Sequence, residues 1–373
     1  MNPAQFLELL ISLSLQVAVV ILLTSLACRF ARVPSVHCQL WSLCHVLLLG
    51  LTASALLLPH VRLIRPWRAV SAETVEHVAS YESVVGQVAF GLWATGASWA
   101  LCALVWQWAK AGRFLKTCRP AAWTDAELDA VLGEQSSENR MSIRPQVLVS
   151  SEVGSPFCCQ WHEPYLVLPE FLAEDPRGAL RFVVRHEVEH LRSGHPLHLF
   201  LQRVVEILFW FHPLVRRASR QMGLAREFAC DDAAVSSRQD VIAYLKILLE
   251  IAERGQVRES EGALLFFGRS SSVVALRGRR LVENLEAGRT QCTLRERVAA
   301  NAVVVAAAAA CVLVWAPCDV LASTRTIWSP WPSWSAGVLR SIEIPARDFE
   351  PFERRTRAYE LEHEPAVSSP AND

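Results

Sequence analysis

Charge is scarce in this chain. Asp, Glu, Lys and Arg make up 20% of its 373 residues, and the only lysines are Lys110, Lys116 and Lys246. Formal net charge is zero and no basic stripe stands apart from arginines that flank apolar runs, so direct nucleic-acid binding has no electrostatic basis. C-x-x-C spacing is absent as well: Cys158-Cys159 is a vicinal pair, and no second pair offers zinc spacing. The eleven cysteines are odd in number and fall mostly in apolar runs or in a loop read below as cytosolic. They read as small hydrophobes, not as a disulfide scaffold.

What the chain does have is long uncharged stretches. At 52% hydrophobic and a mean hydropathy of +0.23, it is too apolar for an ordinary soluble domain. Residues 8–28, 38–59, 86–108 and 298–320 are each long enough to cross about 30 Å of hydrocarbon at about 1.5 Å per residue. No basic residue precedes the first and no small-x-small cleavage site follows it, so it reads as a retained span. Arg29 and Arg32 follow the first span, Lys110, Arg113, Lys116 and Arg119 follow the third, and Arg295 and Arg297 precede the fourth. The positive-inside bias puts these loops in the cytoplasm and both termini outside a cell (inner) membrane; Arg62, Arg65 and Arg68 oppose it.

Residues 109–297, between the third and fourth spans, form a loop the size of a domain. Thr124 to Gly133 reads as a short amphipathic helix, and Gln146 to Ser150 and Pro164 to Leu168 as short strands. The second strand is either an edge that could present an extended peptide or an ordinary core strand. Leu197 to Phe211 is apolar but interrupted by Gln202, Arg203 and Glu206, which suits an interfacial or membrane-dipping helix. Helices are predicted from about Leu214 to Val235 and over Asp240 to Glu253. The fold class is therefore mainly α: a multi-pass membrane protein with four transmembrane helices and an α+β domain inserted between spans three and four. After residue 320 comes a Trp/Pro-containing tail with Trp328, Trp331 and Trp334, expected to hold little structure.

Inside the loop, His186-Glu187-x-x-His190 places two imidazoles four residues apart with a carboxylate beside the first. On a helix both rings point at one locus. Asp175-Pro176 supplies a helix start and Gly194 then Pro196 a stop, so the motif falls on a predicted helix. Zinc takes neutral nitrogen ligands and leaves one position open, where a neighbouring carboxylate can deprotonate a bound water. A third ligand has to come from elsewhere. Glu227 and Asp231 lie one helical turn apart, so Glu227 can reach the metal while Asp231 accepts the outer N–H of a ligating histidine. Cys230 is the one further candidate ligand near Glu227; it would close the site and make it structural.

Taken together, H-E-V-E-H, W-F-H-P-L-V (Trp210 to Val215), R-E-F-A-C-D-D (Arg226 to Asp232), S-P-F (Ser155 to Phe157) and P-Y-L-V-L-P (Pro164 to Pro169) resemble the BlaR/MecR family of integral-membrane zinc metallopeptidases. The order of motifs and the four spans match over roughly residues 8–320. The resemblance implies a gluzincin-type zinc endopeptidase with His186, His190 and Glu227 as zinc ligands, Glu187 as general base and Asp231 orienting a ligand. It implies a cytoplasmic peptidase domain and regulated-proteolysis signalling, with a protein or peptide substrate such as a transcriptional repressor. Two departures stand out. No lysine has Ser three residues before it, so the penicillin-binding sensor of the best-known members is not expected, and His212 stands where relatives often have Asn. His212 reads as a satisfied residue at a helix end, not as a ligand. The rival expectation is a non-catalytic receptor or scaffold with a structural or vestigial zinc site.

Overall fold

The computed structural model describes residues 3–31, 33–61, 71–121, 123, 128, 131, 144–160, 163–173, 180–259, 271–287, 293–313, 315, 329 and 331–346. The chain opens with three long helices, α1 (Pro3–Phe30), α2 (Pro34–Leu57) and α3 (Ala72–Thr117). All three hold stretches long and apolar enough to cross a membrane, the third from Glu73 to Thr117. Pro34 sits in the first turn of α2, where its missing N–H is no loss. At 46 residues, α3 far exceeds the expected 86–108, because its polar flanks are rich in Ala, Glu and Lys, good helix formers that carry the helix past the apolar stretch. Its Leu92, Trp99, Val105 and Trp106 are exposed, as suits a face turned to lipid. The lone charge of the first span, Glu8, is buried and accepts a hydrogen bond from Trp315 Nε1 at 2.6 Å.

The next elements are β1 (Arg119–Pro120), β2 (Gln146–Ser150), β3 (Phe157–Gln160), β4 (Pro164–Pro169) and the short helix α4 (Glu170–Ala173). They form one sheet in the order β1-β2-β4-β3. β2 runs parallel to β4, pairing Leu148 with Val167, and β3 runs antiparallel to it, pairing Cys158 with Leu166. Of the two readings of the Pro164–Leu168 strand, the core one holds. β4 lies between β2 and β3, with Leu166, Val167 and Leu168 fully buried, and β3 takes the edge.

Then follow α5 (Leu180–Arg192), α6 (His195–Leu208), α7 (Pro213–Ala234), α8 (Arg238–Glu259), α9 (Ser271–Ala287), α10 (Leu294–Leu313) and, in the tail, α11 (Ser333–Ser341). α10 covers the first part of the expected fourth span and packs on α1 and α2; residues 314 and 316–320 lie outside the described residues. So do Asp175-Pro176, most of Thr124 to Gly133, and Trp328. Within the described part of the tail, α11 has Trp334 inside it, and Ser329 hydrogen-bonds both ways with the His60 backbone.

Two apolar cores share α7. Val215, Ala218, Met222 and Ala225, towards its start, pack with Val17 and Ile21 of α1, Trp41 and Leu48 of α2, Val205 of α6 and Ala308 of α10. Ala234, at its end, belongs to a second core with Leu166, Phe182, Val184, Val188, Tyr244 and Leu281. The α6–α7 turn is keyed to α3: Trp93 Nε1 donates to the Leu208 carbonyl at 2.9 Å and Trp210 Nε1 to that of Trp93 at 3.3 Å. A Cβ at Gly96 would overlap the Trp210 indole, so glycine is what admits the ring.

Candidate metal centre

The stretch of α7 between the two cores faces α5, and the site is built where they meet. Phe182, Val184 and Val188 bind α5 to the second core, which turns His186 and His190 towards α7. His186 Nε2 and His190 Nε2 are 3.3 Å apart, and each lies 3.6 Å from a Glu227 carboxylate oxygen. A tetrahedral shell with bonds of 2.0–2.1 Å has an edge of about 3.3–3.4 Å between donors. The three donors therefore stand at the separations a single zinc ion needs, and two imidazoles with one carboxylate are a zinc-type set. Glu187 is buried at 2% exposure in the same helical turn. It shares a side-chain hydrogen bond with Cys158 of β3, which sets the sheet edge beside the site; burial, reinforced by that carboxylate, pushes the Cys158 thiol well up.

His186 is held from behind. Its Nδ1 lies 3.1 Å from Asp231 Oδ1 and 3.0 Å from the Tyr244 hydroxyl, whose own proton goes to Asp231 at 2.7 Å. With Nδ1 carrying its proton towards these acceptors, Nε2 presents a lone pair to the donor cluster. Arg277 closes this layer: it donates to Asp231 at 2.9 and 2.5 Å and to Tyr244 at 2.9 Å, and its Nη1 lies 2.9 Å from Glu227. Asp231 and Arg277 are both wholly buried. Burial works to raise the Asp231 carboxyl, but the Arg277 guanidinium and His186 hold it well below the usual carboxylate range. Burial and Arg277 likewise work to lower His186, yet hydrogen bonds to Asp231 and Glu227 lift it above its ordinary value.

His190 has a different support. Its Nδ1 is 2.9 Å from His195 Nδ1, and His195 Nε2 is 3.4 Å from Cys38 Sγ on α2. Gly194, in the left-handed region at φ 65°, makes the turn that folds His195 back on His190. Burial, helped by Arg226, pushes His195 down to about 3, so it stays neutral and can accept a proton bond. His190, His195 and Cys230 also gather as a possible metal group. A 2.9 Å separation is a hydrogen bond and is short for two ligands of one ion, and burial keeps the Cys230 thiol protonated. Cys230 Sγ lies 3.7 Å from His195 Nδ1, the ring nitrogen that also meets His190.

All five residues singled out in the sequence meet here: His186, Glu187 and His190 on α5, Glu227 and Asp231 on α7. His212 does not join them; at the start of α7 its Nε2 contacts the Ser14 carbonyl of α1 at 3.2 Å. Sequence reasoning missed Tyr244, His195 and Arg277. Tyr244 lies among apolar neighbours in a helix, His195 follows the Gly194 stop, and Arg277 sits in an R-G-R-R run, so none of them carries a local signal of a site.

Residues 5–274 match the family described as BlaR1 peptidase M56. Regulatory protein BlaR1 of Bacillus licheniformis is 23% identical over 203 residues, covering 54% of this chain and 33% of that protein. The match therefore spans about a third of the relative's length. M56 peptidases are metallopeptidases, and three described helices fit a membrane protein. The chain belongs to the BlaR1 peptidase M56 family.

Proposed function

We propose that this chain is a membrane-integrated zinc metalloendopeptidase that hydrolyses a peptide bond of a protein substrate in regulated-proteolysis signalling. The observation behind the reading is the placement of His186, His190 and Glu227 donors at 3.3–3.6 Å, with buried Glu187 in the same turn. These three residues would hold zinc, which when bound supplies a Lewis acid and a water with a pKa lowered to about 7. Glu187 takes a proton from the attacking water on its carboxylate and returns it to the leaving amine as the C–N bond breaks. Asp231, Tyr244 and Arg277 keep His186 in the tautomer the site requires. β3, at the sheet edge beside Glu187, can pair with an extended peptide and lay it across the site. The domain at 109–297, a fourth span at 298–320, cytoplasmic placement and a transcriptional repressor as target complete the proposal.

The rival, a scaffold with a closed structural site, needs a fourth protein ligand. Cys230, its candidate, contacts His195 instead. The deciding experiment compares new protein N-termini in membranes and cytosol of cells expressing the native chain or Glu187→Gln. Cleavage seen with the native chain and lost in the variant supports the peptidase. Equal cleavage by both, with zinc bound in both, sinks the mechanism.

A further inference from the structure

The support behind His190 leads out of the peptidase core and into the membrane helices. His190 Nε2 faces the donor cluster, so its proton sits on Nδ1 and is donated to His195 Nδ1 at 2.9 Å. That leaves the His195 proton on Nε2, where it meets the Cys38 sulfur at 3.4 Å. Both residues are buried, His195 at 4% and Cys38 at 6% exposure. Cys38 lies in the second turn of α2, a helix apolar and long enough to span a bilayer, whose inner face packs on α7. One chain of two hydrogen bonds therefore joins a ligand of the candidate metal to a membrane helix, whereas His186 is supported wholly from within the peptidase core.

We propose that His195 is a positioning residue for His190 and that Cys38 anchors it, so that metal affinity depends on where α2 sits. A shift of α2 by one ångström along its axis lengthens or breaks the Cys38 contact and frees the His195 ring to turn. Displacement of a membrane segment would then reach the metal through the His190 side of the site alone. The inference rests on the reading of His186, His190 and Glu227 as metal ligands.

The test is zinc affinity of the full chain in nanodiscs, by competition with a chromophoric chelator, with thermal unfolding of the metal-free form measured alongside. His195→Ala should weaken zinc about 10- to 100-fold, the range seen when outer partners of metal histidines are removed. His195→Asn, whose amide oxygen can still accept from His190, should recover most of this loss. Cys38→Ala should weaken zinc about 2- to 10-fold, as for one lost hydrogen bond, and should have no further effect in the His195→Asn background. The cobalt-loaded His195→Ala protein should show shifted visible bands. If His195→Ala does not fold, the Asn variant and the Cys38 pair decide the matter. Native zinc binding matched within twofold by His195→Ala would overturn the inference while leaving the metal reading intact. An equal Cys38→Ala loss in both backgrounds would overturn the anchor. Absence of zinc binding by the native chain would overturn both readings.

Discussion

Replacing Arg277 by Met should convert a stable metal-free fold into one that leans on zinc. Arg277 is wholly buried and makes two hydrogen bonds to Asp231, one to Tyr244 and an ion pair with Glu227. Glu227 is 21% exposed, so water can take over part of its loss, but Asp231 is sealed at 0%. Removing one partner of a buried pair costs about 3–5 kcal/mol, against about 0–1 kcal/mol for a surface pair. The metal-free Arg277→Met protein should fall in that upper range by denaturant unfolding followed through tryptophan fluorescence. Zinc at a thousand times its dissociation constant stabilises the folded state by about 4 kcal/mol and should restore most of the loss. The pH dependence reverses as well. In the native chain Asp231 is held below its unfolded value near 3.9, so its contribution is present above that pH and lost only as pH falls through the folded value. Without Arg277, burial raises the Asp231 pKa, and a raised group favours folding below its unfolded value and loses that contribution as pH rises through the folded one. The variant should therefore gain stability from pH 7 to pH 5. A loss under about 1 kcal/mol, or a variant no steadier at low pH, would refute the view that Arg277 chiefly compensates Asp231.

Other perturbations separate the two supports of the site. Tyr244→Phe removes a hydroxyl shared by Asp231, His186 and Arg277, and should cost about 1–3 kcal/mol in stability and about tenfold in zinc affinity; chelator competition and unfolding curves check both. Gly194→Ala puts a Cβ in the left-handed region and should cost about 1–2 kcal/mol, with a drop in zinc affinity that Gly223→Ala, in open space on α7, does not share. Gly96→Leu drives a side chain into the Trp210 ring, so the α6–α7 turn should separate from α3. A cysteine pair bridging the two segments would report this as lost crosslinking.

The proposed metal ligands were legible because their signals are local. His186 and His190, and Glu227 and Asp231, are i,i+4 pairs, and a helix alone brings each pair onto one face. Tyr244 and Arg277 reach the same point from α8 and α9, and only tertiary packing assembles them. An arginine beside Gly278, Arg279 and Arg280 carries no sign that it alone is buried. β3 escaped notice because Phe157-Cys158-Cys159-Gln160 lacks the alternation of a half-buried strand, and so β4 could still be read as an edge. Some helix ends were easier: Gly194 and Pro213 each mark a boundary within a residue or two.

The central claim is that His186, His190 and Glu227 hold a catalytic zinc, and metal analysis of purified full-length variants tests it most directly. The native chain, Glu187→Gln and Cys230→Ala should each retain about one zinc per chain, as expected of a three-ligand site, while Glu227→Ala and His190→Ala should lose it. Zinc retained by Glu227→Ala, or lost from Cys230→Ala, would contradict the account.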